Sequence, residues 1–100
     1  MEPLGEPQLR RITFSDEARE NINNLCKQIP CFRNILHGTY KFLQEYAHKG
    51  SFLYQPNYYI YITGKQFSIP AFEFFYSIDG ENVRIYEVMQ AIPEEENFNE

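Results

Sequence analysis

Arg84 and Tyr86 stand two residues apart in a stretch, residues 83–89, that reads as the returning strand of a hairpin. The two-residue period of a strand puts both side chains on one face. An arginine and a phenol side by side suit phosphate chemistry. Cleavage of RNA through its 2′-oxygen needs a base, a cation for the developing charge and an acid for the leaving group. Arg84 would supply the cation and Tyr86 the proton-transfer group. Lys65, expected in a turn with Gly64, and the pair His48-Lys49 at a helix end would add positive charge. The plainer expectation is that Arg84 is a solvated cross-strand partner of Glu73 and that Tyr86 packs against neighbours.

Two other groups invite a binding reading. Arg33, His37 and Lys41 recur every four residues, so they share one side of a helix. A phosphate or an acidic segment could bind there, although such a stripe more often forms the wet side of an amphipathic helix. Tyr54, Tyr58, Tyr59 and Tyr61 form an aromatic band. Its exposed members could stack on bases or build a protein interface, where tyrosine gives contact area at low entropic cost. The protein interface is the favoured reading. Cys26 and Cys31 have no His, Cys or carboxylate neighbours at metal-ligand spacing, and Cys26 falls on an apolar helix side as a buried thiol would. No metal or cofactor is expected. No P-loop, dinucleotide fingerprint or Ser-His-Asp set is present.

The elements that must position these residues follow from period and punctuation. A strand is expected at residues 9–14. Ser15 is a good N-cap, with Asp16 and Glu17 meeting the positive end of the helix dipole. Ala18, Ile22, Leu25, Cys26 and Ile29 then recur at helical spacing until Pro30 ends the helix. A second helix carries Phe32, Ile35, Leu36, Thr39, Phe42, Leu43, Tyr46 and Ala47 and stops at Gly50; Gly38 within it marks a close backbone approach or a kink. Strands are expected at residues 58–63, 66–69, 72–78 and 83–89, the last two joined by Asp79-Gly80-Glu81-Asn82. At 100 residues the chain suits one domain. Residues 1–8 read as a flexible leader, 9–91 as the domain and 92–100 as an acidic tail.

Net charge is -5, yet ten acids nearly balance nine bases up to Met89, and the excess lies in Glu94, Glu95, Glu96 and Glu100. The folded part lacks the basic excess usual in nucleic-acid modules. No apolar run reaches the ~20 residues of a membrane span, so a cytoplasmic protein with no membrane partner is expected.

Two stretches resemble the RelE/ParE superfamily of toxins from type II toxin–antitoxin systems. Ile12-Thr13-Phe14-Ser15-Asp16-Glu17-Ala18-Arg19 looks like the family's opening strand and F-x-x-x-A helix start. Phe72-Glu73-Phe74-Phe75-Tyr76-Ser77-Ile78-Asp79-Gly80 with Val83-Arg84-Ile85-Tyr86-Glu87-Val88 looks like its central hairpin. With element order, the likeness covers about 80 residues, on degenerate motifs. It implies an α+β fold of order β-α-α-β-β-β, a helical hairpin packed on a small antiparallel sheet. It also implies a cognate antitoxin as partner, with the ribosome and its mRNA, or gyrase, as targets. Glu73 occupies a position where the family commonly has arginine, and Met89-Gln90-Ala91 leaves the basic position after the last strand unfilled. A carboxylate there would repel the phosphate an arginine clamps. The expectation is therefore a toxin or toxin-derived protein acting by binding. The alternatives are a non-toxic interaction module, as a homodimer, and a ribosome-dependent endoribonuclease using Arg84 and Tyr86. Arg33, His37, Lys41, Lys49, Lys65, Tyr58, Tyr59 and Tyr61 are the candidate contacts to nucleic acid or protein.

Overall fold

The computed structural model describes residues 9–54, 57–64 and 69–91. The expected leader, the acidic tail, Lys65 and residues 66–68 of the expected 66–69 strand lie outside the described residues. The elements are β1 (Arg11–Phe14), α1 (Asp16–Gln28), α2 (Phe32–Tyr46), a 3₁₀ turn (Ala47–Lys49), β2 (Ser51–Tyr54), β3 (Tyr58–Ile62), β4 (Phe72–Asp79) and β5 (Asn82–Gln90). Ser15 caps α1, its hydroxyl accepting from the Ala18 amide at 3.1 Å. Pro30 separates the two helices, since the residue before proline is pushed out of helical geometry. Gly80, at φ 63°, takes the first position of the β4–β5 turn, where a side chain would be strained.

The two helices pack on one side of a five-stranded sheet of order β1-β5-β4-β3-β2. The sheet is mixed. β2 to β5 form an antiparallel meander, but β1 pairs with β5 in parallel, Ile12 opposite Val83 and Phe14 opposite Ile85. This corrects the expectation of antiparallel strands throughout, and the reason is directional. α1 runs on along β5: Ser15 bonds Ile85 and Tyr86, and Asn21 further along bonds the Val88 carbonyl. α2 then returns, and by Arg10 it is level with the start of β1, the Arg10 amide donating to the Gln44 carbonyl at 3.0 Å. The chain reverses at Pro30 and at each of the three later strand turns. Four reversals leave β5 running the way β1 began. β2 is a further strand not expected from sequence.

The core lies between helices and sheet. Phe32, the first residue of α2, is fully buried against Phe72 and Phe74, with ring centroids 4.9 and 6.2 Å away. Ala18 and Ile22 of α1, with Leu43, Ala47, Tyr76, Val83, Ile85 and Val88, complete it. The Tyr76 hydroxyl donates to the Ala47 carbonyl, fixing the end of the helical layer to β4. Gly50 follows directly, and a Cβ there would collide with that hydroxyl. Glycine is thus required by close approach, while its own backbone is extended. Gly38 is different. It faces open space in an unbroken α2, so neither a kink nor a close approach explains it. Tyr46, expected in the apolar stripe of α2, is 46% exposed, with the Lys49 ammonium 5.6 Å from its ring centre.

Candidate functional site

The sheet has helices on one face only, and register sorts its side chains. On β4, Phe72, Phe74 and Tyr76 are buried toward the helices, so Glu73, Phe75 and Ser77 point the other way. Their ladder partners share that open face: Ile62 and Met89 beside Glu73, Ile60 and Glu87 beside Phe75, Tyr58 and Arg84 beside Ser77. Thr13 of β1 lies next to Arg84 in the same row.

A β-bulge shapes the centre of this face. Phe75 pairs with Glu87 and Tyr76 with Ile85, leaving Tyr86 as the extra residue on β5. Its carbonyl, displaced from the ladder, accepts from the Ser15 hydroxyl at 3.1 Å, while the Ser15 amide donates to Ile85 at 3.0 Å. One serine therefore starts α1 and fixes the bulge. The Tyr86 ring meets Tyr58 edge-to-face, centroids 5.6 Å apart, and Phe75 at 6.4 Å. The result is a three-ring cluster drawn from β3, β4 and β5, with Arg84 toward one end and Glu73 toward the other.

The expected site residues divide between the two sides of the molecule. Arg84, Tyr86 and Tyr58 come together on the open face. Arg84 is exposed, but its ladder partner is Ser77, and Glu73 pairs with Met89. The expected Arg84–Glu73 cross-strand pair is thus corrected: four residues of β4, about 13 Å, separate their levels. The hairpin turn sets this register: with Asp79 opposite Asn82, Arg84 falls opposite Ser77 before the bulge is reached. Tyr59 and Tyr61 face the helices. Tyr59 stacks on Tyr76 at 5.7 Å and Tyr61 on Phe42 of α2 at 4.5 Å, so both are packing residues and not an exposed stacking platform. Arg33, His37 and Lys41 are exposed on α2, behind the sheet from Arg84, and Lys49 is exposed at the 3₁₀ turn. Arg33 also borders a shallow groove of 370 Å³ between the helices, with Ile22, Cys26 and Leu36. Cys26 is half-buried. Phe75, Ile60, Ile62 and Met89 belong to the open face but were absent from the sequence-level set. The apolar character of the face they complete appears only once the register is known.

Two phenols are strongly perturbed, and both serve the core. Burial raises Tyr40 to about 12, with the nearby Cys26 thiol adding to the effect and the Arg19 guanidinium opposing it. Tyr76 is raised further, chiefly by burial, with the neighbouring Tyr59 acting in the same direction.

Chemically, the open face offers apolar and aromatic contact, with Glu87 at its centre and Arg84 and Glu73 toward its ends. Beside the Arg84–Tyr86 pair this face carries Glu87 opposite Phe75 and, at its β1 edge, the exposed Arg11 opposite Asn82, while the basic residues of α2 face away. Among the described residues no cluster of three or more His, Cys, Asp or Glu could hold a metal ion, and no helix is long and apolar enough to cross a membrane. Neither a family model nor a curated protein matches the chain.

Proposed function

We propose that this chain acts by binding another protein through the open face of its sheet. The observation that carries the reading is the cluster of Tyr58, Phe75 and Tyr86 on that face, continued by Ile60, Ile62 and Met89. Ile62 is 51% exposed. Aromatic residues and methionine are enriched in protein interfaces, and this patch carries both around a single central carboxylate, Glu87. A nuclease would need convergent acid, base and cation groups, and the open face presents Glu73 where the RelE/ParE-like pattern would have arginine.

A more specific form of this reading is a RelE/ParE-like toxin or toxin-derived protein of a type II system, neutralised by a cognate antitoxin. The helix pair broken at Pro30 and the antiparallel run β2–β5 favour it. The parallel pairing of β1 counts heavily against it.

Expression in a bacterium, following growth and mRNA integrity, tests both levels. The toxin form predicts growth arrest with intact mRNA, relieved by the product of a neighbouring gene. Normal growth and no such neighbour would leave the non-toxic interaction module. Ribosome-dependent mRNA cleavage that disappears in Arg84→Ala would overturn the binding reading in favour of catalysis.

A further inference from the structure

The open face is complementary to itself, and we infer that its partner is a second copy of this chain, packed sheet on sheet about a two-fold axis. The inference rests on the binding role assigned to that face and names the occupant. Three levels run along the strands. Tyr58, Ser77 and Arg84 form the first, Ile60, Phe75 and the Tyr86–Glu87 bulge the second, and Ile62, Glu73 and Met89 the third. Charge is therefore ordered along the strand direction: the cation lies at the first level, Glu87 beside the aromatic and aliphatic groups at the second, and Glu73 at the third.

A two-fold axis lying between two stacked sheets, across the strands at the level of Phe75, exchanges the first and third levels. Arg84 of one copy then lies over Met89 of the other, beside Glu73, its neighbour on β4. The symmetry repeats that contact, as an isologous interface requires. Tyr58 of one copy lies over Ile62 of the other, covering an exposed isoleucine with a ring. The Phe75 and Tyr86 rings of both copies meet near the axis. Both Glu87 side chains also approach it, so the two Arg84 guanidinium groups beside them offset a like-charge contact. Stacked sheets sit about 10 Å apart, a gap such side chains fill. Asp79 and Glu81 lie beyond Arg84, toward the β4–β5 turn and outside the overlap.

The contact is small. Four strands at about 4.8 Å spacing and some 20 Å of strand length cover about 400 Å² of face per copy, about 800 Å² in total, the size of a weak, transient contact and below that of standard stable complexes. The dimer is accordingly reversible, with dissociation in the range of about 1–100 µM.

Sedimentation equilibrium of the full chain, from about 1 to about 500 µM, reads this directly. Wild type should pass from monomer to dimer. Arg84→Glu and Glu73→Arg should each weaken the dimer about 10-fold or more, because each places like charges together. The double variant R84E/E73R should bind more tightly than either single variant, since the pairing is inverted, yet fall short of wild type because the cation beside Glu87 moves to the neighbouring strand. Both positions lie on the open face, and unchanged circular dichroism shows that each variant is folded. A wild-type chain monomeric throughout the range, single variants without effect, or a folded double variant no tighter than either single variant would each overturn the inference. Growth arrest relieved by a partner, in a chain that never dimerises, would overturn it while leaving the binding reading standing.

Discussion

Tyr40 shows how a single residue's environment can decide a property of the whole fold. It lies half-buried on α2, its ring 5.6 Å from Phe14, and burial raises its phenol from 10.0 to about 12. The sign follows from linkage. Below the unfolded value both states hold the proton, and the stabilising contribution is complete. Between about pH 10 and pH 12 the unfolded chain releases a proton that the folded chain retains, so stability falls as pH rises. Tyr76 acts in the same direction. Thermal unfolding followed from pH 8 upward should therefore show a falling midpoint above about pH 10. Tyr40→Phe should make that fall shallower without abolishing it. An unchanged slope would mean that Tyr40 ionises as freely in the folded chain as in the unfolded one. The same scale explains why Gly50 is glycine: the Tyr76 hydroxyl, held by the Ala47 carbonyl, occupies the space a Cβ would need.

At the scale of elements, Ser15 joins three of them. It closes β1, caps α1 and bonds the carbonyl freed by the β5 bulge. Ser15→Ala removes the cap, about 1 kcal/mol, and the hydroxyl's hydrogen bond to the Tyr86 carbonyl, about 1 kcal/mol more. Denaturant unfolding should show a loss of about 2 kcal/mol, with Ser15→Thr, which retains the hydroxyl, recovering most of it. A loss no larger than an ordinary cap would show that the Tyr86 carbonyl finds another partner. The cap was legible in Ser15-Asp16-Glu17 because capping is local, and so were the break at Pro30 and the turn at Gly80. The bulge is signalled only by a slip in phase, the inward apolar residues stepping by two from Val83 to Ile85 and by three from Ile85 to Val88, and its position is fixed only against the partner strand. β2 escaped notice for a related reason: Ser51-Phe52-Leu53-Tyr54 has only four residues and its own register shift at Leu53. The direction of β1 required counting every reversal of the chain, and no short stretch encodes that count. Alternation did place Tyr59 and Tyr61 together and Tyr58 opposite. Which side was the core depended on where the helices lay.

The whole molecule is a two-layer body, and its layers separate two surfaces that the sequence presents as one set of candidates. The helical layer turns Arg33, His37 and Lys41 to solvent, while the sheet turns Tyr58, Arg84 and Tyr86 the opposite way. Between them lies the core around Phe32, Phe74 and Tyr76. Helix and sheet layers packed about 10 Å apart exceed the screening length of about 8 Å at physiological salt. The α2 cations therefore have little influence on charge at the open face. Neutralising them with Arg33→Gln, His37→Gln and Lys41→Gln should leave dimer dissociation within about 2-fold of wild type, since only rim effects can cross the molecule. Arg84→Gln should weaken the dimer more than all three together, because it removes the cation facing Glu73. Raising salt should weaken wild type modestly and the Arg84→Gln variant less, as the screened contact is then already gone. A dimer that weakens with the α2 substitutions and ignores Arg84 would place the contact surface on the helices and leave the open face as ordinary solvated sheet.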